Sequence, residues 1–348
     1  MNSTNTYRAA IIGLGFIGGA DQVSGDALGQ QVADLDGTHF AALSAHARID
    51  LVAGSSRDAG RRQRFAERSG TRTYSDWRQM LEDQELDIVS VATYAPQHPE
   101  MVVCCAERGI PAIYCEKPIA NNLPDAERMI AACQSAGSQL VINHNRRFDP
   151  DYADVRDAIA ADRLGALVSG SIQWPSGRLG NVGTHMIDAI QLLASLPVTA
   201  VSGTLDLSER PDCRGAEFRD PGGWGVLRLG DHLPVTVDAA DHSRVPARIT
   251  LNGTQGGVCV CGQEVLFTSW DGQSEQPPSR RDALSSMDRA VAEIVNGLDE
   301  RRSESPTAES ARRTLEAILA FHASHARNGA WTPLPLQDAD RHIVVHSG

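Results

Sequence analysis

Residues 9–18 read Ala-Ala-Ile-Ile-Gly-Leu-Gly-Phe-Ile-Gly, an apolar run leading straight into Gly13-x-Gly15-x-x-Gly18. This feature constrains the fold more than any other. The first glycine permits a tight turn, the second lets backbone approach a pyrophosphate, and the third lets the next element pack closely. Gly13, Gly15, Phe16, Ile17 and Gly18 are therefore expected to contact a dinucleotide. A glycine triplet alone is weak; its place after the first strand of a long alternating series strengthens it.

That series runs through the first part of the chain. Arg8–Ile12, Ile49–Ala53, Ile88–Ala92, Ala112–Cys115 and Leu140–Asn143 read as strands. Between them His39–Ala47, Arg57–Ser69, Pro99–Arg108 and Asp125–Ala136 read as helices, three of them followed by a stop glycine. Such alternation implies a doubly wound parallel sheet. The segment Ala20–Gly37 is polar and rich in Gly and Asp, and is expected to form an extra loop near the cofactor or pocket mouth. Either a short helical turn or loop amides would then meet the phosphates.

The rhythm changes at Asp149-Pro150. A helix over Tyr152–Ala161 is followed by strand-like runs at Ala166–Trp174, Thr199–Leu207, Gly225–Leu229, Pro234–Ala239, Arg248–Asn252, Val258–Val260 and Val265–Trp270. Turn residues join them, as in a mostly antiparallel sheet. Helices are expected at Thr184–Ser195 and Thr307–Arg327, and a surface loop at Gly272–Ser279. The fold class is thus α/β: a dinucleotide-binding domain over residues 1–147 and an α+β domain over residues 148–348, for substrate binding and oligomerisation.

Composition narrows the partners. A formal charge of −12 disfavours nucleic acid and anionic membrane surfaces, which need a basic face. Ala9–Ala20 is apolar but carries four glycines, which fits a buried strand entering a loop better than a signal peptide. No apolar run is long enough to span a membrane. Seven irregularly spaced cysteines fit a reducing compartment, the cytoplasm. Cys259-Val260-Cys261 lacks a second ligand pair, so no metal is expected.

The end of the second strand selects the dinucleotide. An acidic residue there would bind ribose hydroxyls. The chain instead has Ser55-Ser56-Arg57, with Arg61, Arg62 and Arg64 following. A hydroxyl and a guanidinium hold a 2′-phosphate that a carboxylate would repel. NADP(H) is expected over NAD(H).

Glu116-Lys117-Pro118 follows the fourth apolar strand, so Lys117 is expected to point into the ligand crevice. Downstream come Asn145-Arg146-Arg147-Phe148-Asp149-Pro150, Leu164-Gly165 and His185-x-x-Asp188. With the glycine loop, this ordered set resembles the Gfo/Idh/MocA oxidoreductases, across most of the chain. The resemblance implies a Rossmann domain, an open-faced α/β domain, a substrate pocket between them, and a homodimer or homotetramer. It places Lys117 and His185 in catalysis and substrate binding and Thr93 and His98 beside the nicotinamide, with Tyr94, Glu116 and Lys117 also expected among the cofactor-binding residues. Histidine suits a base near neutral pH, and a lysine cation stabilises a developing alkoxide. Asp188 would orient His185, bind a sugar hydroxyl, or serve as a first-turn carboxylate. Asn145, Arg146, Trp174 and Arg178 are further candidates for a polyol substrate.

One position departs from the pattern. The family usually has aspartate four residues before the histidine, where this chain has Asn181. An amide does not exchange protons usefully at neutral pH, so His185 is expected to work with Lys117 while Asn181 orients substrate. The implied reaction is hydride transfer between nicotinamide and a secondary alcohol or ketone of a sugar, sugar derivative or cyclitol. The alternatives are glycoside cleavage by transient oxidation on a tightly held dinucleotide, or a non-catalytic NADP sensor.

Overall fold

β1 (Tyr7–Ile12) is buried from Ala9 onward, which is why its apolar residues run without alternation. The computed structural model describes residues 5–23, 30–175, 177–208, 218–240, 244–303 and 306–347. By contact the chain forms two compact units. The first comprises Met1–Ala120, Asp125–Asn145 and Ala283–Glu309, the second Asn121–Pro124, Arg146–Asp282 and Ser310–Gly348.

In the first unit β1 is joined by β2 (Ile49–Ser55), β3 (Arg72–Tyr74), β4 (Ile88–Val91), β5 (Ala112–Cys115) and β6 (Gln139–Ile142). Their order is β3-β2-β1-β4-β5-β6, and every pairing is parallel. The order reverses between β1 and β4, and in an open α/β sheet the carboxyl ends at that switch flank the ligand crevice. The helices are α1 (Phe16–Gly19), α2 (His39–Ala45), α3 (Ala59–Ser69), α4 (Trp77–Asp83), α5 (His98–Glu107) and α6 (Leu123–Ala136). β3 and α4 are absent from the sequence reading; at three and seven residues they are too short for a clear period.

The second unit opens with α7 (Pro150–Ala160), capped by the Asp149 carboxylate. Then come β7 (Leu167–Gln173), α8 (Thr184–Ala194), β8 (Val198–Leu205), β9 (Gly223–Leu229), β10 (Leu233–Ala239), β11 (Arg248–Gly253), β12 (Gly256–Cys261), β13 (Glu264–Ser269) and β14 (Ser274–Glu275). With β15 (Thr332–Pro333) they form a nine-stranded sheet in the order β14-β13-β12-β11-β7-β10-β9-β8-β15. β7 and β10 pair parallel, and the neighbours on either side pair antiparallel. β14 lies within the segment expected to be a loop. Buried and exposed residues alternate strictly along β10, so one face is covered.

α9 (Ser286–Asp299) is the main element the sequence reading missed. Ser285 and Asp288 form a capping box, and Met287, Val291, Ile294 and Val295 make a buried stripe. The helix packs on α2 and β6, so this part of the chain returns to the first unit. A single division after Arg147 does not describe that return. α10 (Pro306–Ala326) buries Ala308, Ala311, Leu315, Ile318 and Leu319 on one face, with His322 half-buried.

Candidate functional site

The glycine loop is shaped by its neighbours. Gly13 has φ +101°, and a Cβ there would lie 2.3 Å from the Ala92 carbonyl oxygen. A Cβ on Gly18 would lie 2.0 Å from the Gly13 carbonyl oxygen. Between them Gly15 opens the single turn of α1, which Ala20 ends in a left-handed conformation. A helical turn therefore does start inside the loop. Residues 24–29 of the expected excursion lie outside the described residues. Its described start is pinned: Asp21 is fully buried and takes a bidentate ion pair from Arg64 at 2.9 and 2.7 Å. Its end is pinned by Asp36, which accepts from the Ser286 amide at 2.9 Å. Gly18→Ala is expected to cost about 1–3 kcal/mol, because backbone must shift to admit the methyl. Thermal melting and an NADPH titration would show lower stability and at least roughly tenfold weaker binding.

At the end of β2, Ser55 is buried and its carbonyl accepts from the Gly13 amide. Arg62 reaches back to the Ser56 and Arg57 carbonyls at 2.7 and 2.9 Å. The Asp58 carboxylate caps α3, accepting from the Arg61 amide at 2.7 Å. Arg62 is thus occupied in shaping the turn and Arg64 in holding Asp21, whereas Arg57 is exposed and Ser56 half-buried.

At the carboxyl end of β5, Glu116 is buried in a polar network. Its Oε1 accepts from His39 Nε2 at 3.0 Å and from Asn143 Nδ2 at 2.6 Å. Its Oε2 accepts from the Lys117 amide at 3.2 Å. The Tyr114 hydroxyl donates to Asn143 Oδ1 at 2.8 Å. His98 is also fully buried, with its ring nitrogens 3.0 Å from the Thr93 and Pro118 carbonyl oxygens. Burial pushes the His98 pKa down, against the opposing pull of those carbonyls and of Glu116. For Glu116, burial alone would raise the pKa. The His39 hydrogen bond and charge, then Lys117 and Asn143, outweigh it and hold the carboxyl at about 2.

The sign of the resulting pH dependence follows. A depressed carboxylate pKa stabilises the fold fully above the ordinary value of 4.5, and that stability is lost as pH falls toward about 2. Glu116→Gln is expected to flatten unfolding free energy against pH in that window by about one proton. Urea titrations at a series of pH values would read this slope.

In the second unit, β7 is followed by Trp174, which is fully buried and donates Nε1–H to the Gly177 carbonyl at 2.7 Å. Ser176 lies outside the described residues. Arg178, with φ +59°, precedes a π-helical turn, Leu179–Gly183, that runs into α8. Trp174 lies against Gly183, where a Cβ would fall 2.8 Å from the indole. The buried Asp220 carboxylate accepts from the Gly180 and Asn181 amides at 2.6 and 2.7 Å. These contacts set the backbone that presents Asn181 and, in the first turn of α8, His185. Asp188, one turn farther, is buried and bidentate with Arg147 at 2.8 Å on both oxygens.

Known proteins resemble the chain over part of its length. Residues 7–144 match the model of the oxidoreductase family with an NAD-binding Rossmann fold, Gfo/Idh/MocA. The match covers the first unit's sheet and its connecting helices, and over these residues the chain is similar to that family. It is 38% identical over 105 residues to D-apiose dehydrogenase of Paraburkholderia graminis, covering 30% of this chain and 28% of that protein. It is 29% identical over 231 residues to inositol 2-dehydrogenase 2 of Saccharopolyspora erythraea, covering 62% of this chain and 66% of the relative. The chain thus matches less than two thirds of either curated relative. A levoglucosan dehydrogenase solved with NADH and levoglucosan shares the fold, with TM-score 0.77 and 20% identity, over 95% of this chain and 100% of that one.

The expected residues separate by environment. Gly13, Gly15, Phe16, Ile17, Gly18, Ser55, Ser56, Arg57, Thr93, Tyr94 and Lys117 all lie at or just after the carboxyl ends of β1, β2, β4 and β5, with Phe16, Ile17 and Gly18 on α1. Tyr94 is exposed, and Thr93 and Lys117 are half-buried. Glu116 and His98 are buried: the Glu116 carboxylate accepts from the Lys117 amide, and the His98 ring lies against the Pro118 and Thr93 carbonyls. Trp174 and Asp188 are likewise core groups in this conformation: the indole presents no face to a sugar, and Arg147 takes both Asp188 oxygens. Asn145 is half-buried, and Arg146 donates Nε–H to the Tyr152 hydroxyl at 3.2 Å. Asn181 and His185 are half-buried. Asp220 escaped the sequence reading, since its partners lie 39 and 40 residues away. A second overlooked signal is compositional. Lys117 is the one lysine in 348 residues; every other fixed cationic side chain is arginine.

Proposed function

We propose that the chain is a dehydrogenase or reductase that transfers hydride between NADP(H) and a secondary alcohol or ketone of a sugar, sugar derivative or cyclitol. The lone lysine carries the reading. Arginine stays charged throughout the accessible pH range, while lysine is a compact ammonium whose pKa can be tuned for proton transfer. A chain otherwise built with arginine has lysine on the turn after β5, beside a buried carboxylate. The named substrates of the relatives — apiose, inositol and levoglucosan — supply the polyol class.

The glycine loop and the β2 and β4 turns fit a dinucleotide, because they sit at the switch between β1 and β4. When bound, the nicotinamide supplies the hydride acceptor or donor. The residues of the chain handle the proton and the oxygen. The Lys117 ammonium stabilises negative charge on the reacting oxygen. His185 takes the hydroxyl proton; its Nδ1 is buried, so Nε2 is the assigned atom. Asn181 orients a substrate hydroxyl through its amide. Incubating the protein with NADP+ or NAD+ and a panel of cyclitols, aldoses and anhydrosugars, followed at 340 nm, tests the activity.

The preference for NADP(H) rests on Ser56 and Arg57, with Asp58 committed to capping α3. Arg57→Ala is expected to weaken NADPH binding about 10- to 100-fold, the worth of a charged hydrogen bond to phosphate. NADH affinity is expected to change less than about threefold. Fluorescence titration of both dinucleotides checks the pair.

A further inference from the structure

We propose that His39 is a positioning residue for Lys117, acting through the Glu116 carboxylate. The chain of contacts lies wholly in the first unit. His39 is the first residue of α2 and is fully buried. Its Nδ1 lies 2.6 Å from Ser90 Oγ on β4, and its Nε2 lies 3.0 Å from Glu116 Oε1 at the end of β5. Its ring also packs on Tyr114, with centroids 4.6 Å apart. The imidazole therefore bridges two neighbouring strands at their carboxyl ends. The carboxylate it holds receives the backbone amide of Lys117 through its other oxygen.

The arrangement has a physical logic. A buried carboxylate is costly unless its oxygens are satisfied. His39 and Asn143 satisfy Oε1, which leaves Oε2 for the Lys117 amide and keeps a fixed negative charge one residue from the amine. Removing the His39 donor leaves burial to favour the neutral carboxyl. The lysine turn then loses both its anchor and its counter-charge. Other titratable groups near the network are His98 on α5, Tyr114 on β5, Asp36 ahead of α2 and Asp288 on α9.

The inference rests on Lys117 being the reacting amine, but its test needs no substrate. Because the chain has one lysine, reductive methylation with 13C-formaldehyde labels Lys117 and the α-amine alone. The two separate by titration, since an α-amine titrates near about 8. In the intact protein, His39→Leu is expected to lower the midpoint of methylated Lys117 by about half a unit or more. His39→Gln retains an N–H donor and is expected to return the midpoint toward wild type. Leu43→Ala, a core change on the same helix, is expected to leave it in place. If His39→Leu does not fold, Ser90→Ala loosens the ring at its other nitrogen and is expected to move the midpoint in the same direction. A midpoint unchanged in the folded His39 or Ser90 variant, or moved equally by Leu43→Ala, overturns the proposal. Failure of the functional reading looks different: Lys117→Met would keep turnover whatever the resonance does.

Discussion

Lys117→Arg is expected to lose about 10³-fold in kcat, although it keeps the positive charge. An ammonium places three donors on a compact centre, whereas guanidinium is a broad planar fork that does not give up its proton. Lys117 stabilises alkoxide charge as a compact centre, and a guanidinium spreads its charge over a plane and does not put it at the same place. Lys117→Met is expected to lose a similar factor by removing the charge altogether. NADPH affinity is expected to stay within about threefold in both variants, since the loss is of transition-state stabilisation. Steady-state rates with a dinucleotide titration separate the two quantities. Retention by Lys117→Arg of more than about a tenth of wild-type turnover would reduce the lysine to a generic cation.

His185→Gln is the second large effect, expected at about 10²- to 10⁴-fold in kcat/KM. Glutamine approximates the reach and hydrogen bonding of histidine but cannot take a proton. For alcohol oxidation, the variant is expected to lose the limb of the pH–rate profile that belongs to the essential base. The neighbouring Asn181 cannot substitute for that base, because an amide does not titrate. Its backbone is held by Asp220, which His185→Gln does not touch. The fold of the π-helical turn is therefore expected to survive, and near-ultraviolet circular dichroism would check it.

The sequence was most legible where a residue type answers a local demand. Gly13 and Gly18 are required by close backbone within the loop and at Ala92, and the motif reads that directly. Lys117 follows β5 directly, the strand-end position in a parallel sheet that the sequence reading gave it. Burial of amphipathic side chains was harder. His98 and Trp174 each have a polar edge that satisfies a nearby carbonyl, so both fold inward, and no spacing rule reveals which carbonyl is near. Asp21 with Arg64, and Asp220 with the turn before α8, are pairs separated by about 40 residues. Only the fold brings such groups together. α9 was different: its capping box and apolar stripe are in the sequence, but nothing local says that it rejoins the first unit.

The central claim is direct hydride transfer that depends on Lys117. Its most direct test is to offer NADP+ with carbon-deuterated cyclitols and sugars, then read deuterium at nicotinamide C4 by mass spectrometry. Wild-type protein and the Lys117→Met variant are run side by side. The account predicts deuterium in NADPH with at least one polyol, and its loss in the variant. Tight dinucleotide binding with no deuterium transfer from any of them, or equal transfer by both proteins, would contradict it.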